Sequence, residues 1–101
     1  MTEDTHDKAY NEAASNAIDL ANRMADKNSE EVVWDIADGI LAGAVQFWLY
    51  TRLPCEDPRC PDCEPLNTAE KRLKELLAVV EEIAKESEYY HCPNDANVGR
   101  A

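Results

Sequence analysis

Four of the chain's five prolines, Pro54, Pro58, Pro61 and Pro65, fall inside a short segment that also holds Cys55, Cys60 and Cys63. Proline fixes its own φ, removes a backbone donor and pushes the residue before it out of the helical region. Residues 54–66 must therefore be a loop, and whatever regular structure the chain has is built on either side of it. Thiols spaced C-x4-C-x2-C in such a loop can converge on a metal or cross-link.

The flanks read as helices. With 3 glycines and an abundance of Ala, Leu, Glu and Lys in 101 residues, the composition favours an all-α domain, small enough that a staple or a partner surface would help it fold. Over about 7–27, Tyr10, Ala13, Ala17, Leu20 and Met24 recur at helical spacing opposite Glu12, Asn16 and Arg23. After a break at Lys27-Asn28-Ser29, a second helix over about 30–53 is apolar on more than one face, from Val32 and Ile36 through Leu41 and Val45 to Leu49. Trp34, Phe47, Trp48 and Tyr50 read as core or interface anchors. Gly39 and Gly43, set among Ala42 and Ala44, cost about 1 kcal/mol each against alanine, which points to close backbone contact there. A third helix over about 67–90, capped by Asn67 or Thr68, carries the stripe Leu73, Leu76, Leu77, Val80 and Ile83. A polar tail, 91–101, follows. The expected fold is a single up-down-up three-helix bundle over 1–101, forming a homodimer through its apolar central helix.

Charge and termini bound the partners. Twenty-one acidic residues against 10 basic ones give a net charge of −11. Such a surface repels nucleic acid and anionic lipid, so neither is expected, and a protein partner is left unspecified. The opening MTEDTHDKAY is polar and acidic rather than basic and then apolar, and the longest charge-free stretch, Gly39 to Thr51, is short for a bilayer span. A cytoplasmic protein is expected, in which clustered cysteines bind metal more often than they form disulfides.

Three fates of the cysteines compete: Zn(II) on Cys55, Cys60 and Cys63 with a fourth ligand from His6, His91 or Cys92; disulfides or structural thiols; and an iron–sulfur cluster. The third comes from a resemblance. C-x4-C-x2-C followed, after 28 intervening residues, by Cys92 resembles the plant-type [2Fe–2S] ferredoxins, which implies a cluster on those four thiols. Glu56, Asp57, Arg59 and Asp62 stand where such a loop would have small residues, and the helical flanks differ from a β-grasp sheet.

An acidic constellation is the alternative site. Glu31, Asp35 and Asp38 share one face of helix two, and antiparallel packing would bring Asp19 level with Asp38, a set able to hold Mg(II) through water and phosphate oxygens. Asp35-x-x-Asp38 resembles half of the paired acidic motif of the all-α MazG-like nucleotide pyrophosphohydrolases, which would imply a metal-dependent enzyme on nucleotides. The Glu-rich motif on the preceding helix is missing. No Ser-His-acid arrangement or glycine-rich phosphate loop stands out. The sequence reading is thus a small interaction or regulatory protein with a structural zinc loop and no catalysis, set against a Mg(II)-dependent enzyme.

Overall fold

A computed structural model of the chain describes residues 4–93, and those residues are helices, 3₁₀ turns and loop, with no strand. Three α-helices are present: α1 (Thr5–Lys27), α2 (Val33–Thr51) and α3 (Ala69–Glu86). Single 3₁₀ turns at Glu30–Val32 and Glu64–Leu66 lead into α2 and towards α3. The chain divides into two units, one ending at Tyr50 and the other beginning at Thr51.

In the first unit, α1 ends where Asn28 turns to an extended conformation and its side-chain amide donates to the Met24 carbonyl at 2.8 Å. Ser29 is extended as well and precedes the 3₁₀ turn, whose Glu30 and Glu31 place negative charge at the start of the helical segment, where the dipole favours it. No residue of α1 or α2 is buried. Trp34 is 85% exposed and Phe47 68%. A Cβ added at Gly39 or Gly43 would meet nothing within 4 Å. Among the described residues the close approach expected at these glycines is therefore not made, and the apolar residues of α2 are at most half-buried. Together with its lead-in turn, the segment Glu30–Thr51 is 22 residues long and contains an 18-residue stretch of mean hydropathy 1.4, enough by length and composition to cross a membrane. An open groove lined by Met24, Val32, Ile36 and Ile40 lies at the α1–α2 junction.

In the second unit, Leu53 is outside the helix because Pro54 follows it, so α2 stops at Thr51 rather than at 53. Thr68, not Asn67, caps α3. Thr68 is extended (φ −126, ψ 158) and its hydroxyl accepts from the Lys71 N–H at 3.2 Å. Asn67 has helical φ and ψ of −85 and −1 and cannot serve as an N-cap, and its Oδ1 is buried with no partner. At the other end, Ser87 leaves the helix and its hydroxyl accepts from the Tyr89 N–H at 3.1 Å, a local turn that ends α3 at Glu86, short of the expected 90. Leu76, in the centre of the predicted stripe, is 8% exposed and is the one buried residue among those described. Its stripe neighbours Leu73, Leu77 and Ile83 stay exposed. Residues 94–101 of the expected polar tail lie outside the described residues.

The cap can be measured directly. Thr68→Ala is expected to lower stability by about 1 kcal/mol in urea titrations followed by helical circular dichroism, whereas Thr68→Ser keeps most of it. Equal stability of Thr68→Ala and the wild type would contradict the cap.

Candidate metal centre

The loop between α2 and α3 folds on local backbone bonds. Pro54 and Pro58 limit its conformations, and Asp57 organises the first bend: its carbonyl accepts from the Cys60 N–H at 3.1 Å and its Oδ1 accepts from the Arg59 N–H at 2.9 Å. A second turn follows at once, with the Cys63 N–H donating to the Cys60 carbonyl at 3.2 Å. A third begins where the Leu66 N–H donates to the Cys63 carbonyl at 2.9 Å. Cys60 and Cys63 stand at the two junctions of these three turns, and Cys55, ahead of the first, is drawn in by its N–H bond to Cys63 Sγ. The loop is then tied to α3 from its far end. Lys71 Nζ reaches both the Glu64 carbonyl at 2.9 Å and Glu64 Oε1 at 3.1 Å, and Arg72 Nη1 reaches the Leu66 carbonyl at 2.9 Å. The Lys71–Glu64 pair is solvent-exposed, so its value lies more in placement than in energy.

The result is a cluster. One ligand atom from each of Cys55, Cys60 and Cys63 lies within 4.8 Å of the others. Cys63 Sγ donates to Cys55 Sγ at 3.6 Å, and the Cys55 N–H donates to Cys63 Sγ at 3.3 Å. The Cys55 thiol also lies 3.8 Å from the Asp57 carbonyl. Cys60 and Cys63 are half-buried and Cys55 is exposed. Beside the cluster, a shallow depression of about 240 Å³ is lined by Leu53, Pro54, Cys63 and Leu66 together with the polar Thr51, Arg52 and Asp62.

The two inner thiols differ electrostatically. Cys60 is held below the ordinary thiol range, first by the backbone N–H of Cys63 and then by the neighbouring Cys55 and Cys63 side chains, all of which favour its thiolate. At Cys63 the largest influence, the Cys55 N–H, also favours the thiolate. It is outweighed by bonds to the Cys55 and Cys60 side chains, by burial and by charge on Cys55, so Cys63 is pushed up. The three sulfurs together could hold a metal ion, whose positive charge would let all three ionise side by side.

The other expected ligands stand differently. Among the described residues, no histidine, carboxylate or further cysteine belongs to the three-sulfur group. His91 stacks edge-on against Tyr90 at 4.8 Å between ring centres, and Cys92 is an exposed thiol. The helical span between Cys63 and Cys92, 18 residues in α3, accounts for their separation at about 1.5 Å per residue. His6 lies in α1, in the other unit. Asp19, Glu31, Asp35 and Asp38 are all exposed and do not gather their oxygens as the sulfurs do. With no strand among the described residues, the β-grasp sheet implied by the ferredoxin resemblance is absent. What sequence reasoning missed is Asp57, whose two acceptors shape the loop; an Asp followed by Pro two residues before the second cysteine is the turn signal that could have found it.

No protein-family model matches the chain, no curated protein is significantly similar to it in sequence, and no solved structure is significantly similar to it in fold.

The charge asymmetry within the cluster makes an ordering. In metal-free protein titrated with a thiol-alkylating reagent across neutral to mildly alkaline pH, Cys60 should be modified at a lower pH than Cys63. Peptide mass spectrometry reads the order, and modification of Cys63 before Cys60 would contradict it.

Proposed function

We propose that the chain is a small cytoplasmic interaction or regulatory protein whose loop holds Zn(II) structurally on Cys55, Cys60 and Cys63. One observation carries this reading: the sulfur spacing fits the ion. Zinc–thiolate bonds of about 2.3 Å at tetrahedral angles set the sulfurs about 3.8 Å apart. Cys55 and Cys63 already stand at 3.6 Å, and a modest contraction of a cluster contained within 4.8 Å seats the third. Thiolate-only donors suit zinc better than the hard cations Mg(II) and Ca(II). The fourth position is filled by His6, His91, Cys92 or a water molecule. Zinc here takes the place of a core: it fixes the α2–α3 connection in a unit whose described residues bury a single side chain.

The chain's partner is a second copy of itself, joined through α2 as part of a helical bundle. A helix apolar around most of its circumference and unburied in its own chain needs another apolar surface. A bilayer fits α2 less well than a second copy does. Asp35 and Asp38 interrupt the segment, each costing about 3 kcal/mol towards the centre of a membrane. The charge-free remainder, Gly39 to Thr51, spans roughly 20 Å against a hydrocarbon core of about 30 Å. A helix partner at Gly39 and Gly43 would also recover what those glycines cost α2.

Two substitutions separate the zinc reading from the acidic-site enzyme. Cys60→Ser should lose bound metal and lower the Tm by roughly 5 °C or more, the shift that about 1 kcal/mol produces in a domain this size. Asp38→Asn should change neither. A Cys60→Ser protein with unchanged Tm and metal content would sink the zinc reading, and Mg(II)-dependent pyrophosphate release from nucleoside triphosphates, lost in Asp38→Asn, would establish the enzyme instead. For the dimer, light scattering should give twice the 11.3 kDa chain mass. Gly43→Leu is the sharper probe: helix propensity alone predicts stabilisation, whereas a close interface predicts dissociation. A monomer, or wild-type protein that floats with neutral lipid vesicles, would overturn the second copy as the partner of α2.

A further inference from the structure

We propose that Cys55 and Cys63 are a redox modification site: a peroxide converts this pair, and not Cys60, into an intrachain disulfide that releases the metal. The pairing rests on the loop geometry, and the metal-release half rests on the zinc reading above. The Cys63 thiol is in hydrogen-bond contact with Cys55 Sγ at 3.6 Å, and the Cys55 N–H holds the same Cys63 sulfur at 3.3 Å. Cys55 and Cys63 are thus fixed on each other by two interactions, one through the backbone. A disulfide needs its sulfurs at about 2.05 Å, so closure asks for a movement of about 1.5 Å between two side chains already facing one another. Cys55 is exposed, which gives the oxidant access.

The chemistry balances without any further group. One thiolate of the pair attacks a peroxide oxygen, the O–O bond breaks, and a sulfenic acid and one water form with uptake of a proton. The second thiolate attacks the sulfenic sulfur and expels hydroxide, which takes a proton and leaves as the second water. The two sulfurs together lose two electrons and the peroxide gains them. Cys60 is then the one thiolate left in the cluster, too few to retain zinc, and the ion departs. A small dithiol reverses the step by exchange and restores the three-sulfur site. The metal thus protects the thiols, and its loss reports oxidation.

Trypsin makes the pairing readable, because cleavage after Arg52, Arg59 and Lys71 puts Cys55 on peptide 53–59 and both Cys60 and Cys63 on peptide 60–71. Full-length protein, as purified and after chelation, is treated with hydrogen peroxide, blocked with N-ethylmaleimide and mapped without reduction. The expected product joins 53–59 to 60–71 with the maleimide on Cys60, and dithiothreitol separates the two peptides. In protein that carried metal before treatment, the ion is released in step with the cross-link and is taken up again after reduction. A link within 60–71, a maleimide on Cys63 in the joined peptides, or chain-to-chain links alone would overturn the pairing. Metal retained by cross-linked protein would overturn the release. Protein that never contained metal defeats the zinc reading and the release with it, while the peptide map still decides the pairing.

Discussion

Three sulfur atoms are gathered here without a hydrophobic core beneath them, and everything distinctive about the chain depends on how that is done. The means are local. Prolines restrict the loop, Asp57 folds it with two acceptors, Cys60 and Cys63 stand at the junctions of successive turns, and the Cys55 N–H reaches Cys63 Sγ. Lys71 and Arg72 then moor the loop's far end to the first turns of α3. Each bond is worth about 1 kcal/mol at most in water, and none is well buried. Such a scaffold positions ligands but does not hold like charges together against their repulsion. A divalent cation would do both, and the proposed zinc rests on that together with the sulfur spacing.

The helices pose the complementary problem. α1, α2 and α3 each have an apolar side, yet among the described residues Leu76 alone is buried. A chain of 101 residues is close to the size at which core burial barely offsets conformational entropy, and one buried leucine falls far short of it. The second copy proposed above would supply apolar surface in proportion to what the first exposes, and both would gain from the same α2 patch around Gly39 and Gly43. In the proposed reading, metal and dimer would divide the work by unit: the ion would order the half that holds the cysteines, and self-association would cover the half that holds most of α2.

Periodicity made the three helices legible in the sequence, and Pro54 marked the end of α2 to within two residues, the helix stopping at Thr51 rather than 53. The N-cap of α3 was legible only as a choice between Asn67 and Thr68, because backbone dihedrals and not residue identity separated them. Ser87 stopped α3 early through a local hydrogen bond that has no apolar signature. The cysteine cluster was readable because spacing and prolines act over a few residues. Its fourth ligand was not, since that depends on how distant segments meet. For the same reason the apolar faces of α2 could be found while their partner could not: a pattern records which side wants burial, not what covers it.

Elemental analysis by mass spectrometry on protein purified anaerobically without chelator, with thiols titrated in the same sample, tests the central claim most directly. The account predicts zinc at one ion per chain, with the Cys55, Cys60 and Cys63 thiols becoming reactive only when a chelator removes it. Metal-free protein with all of its thiols reactive from the start would contradict it, and iron with visible absorbance would replace zinc with a cluster.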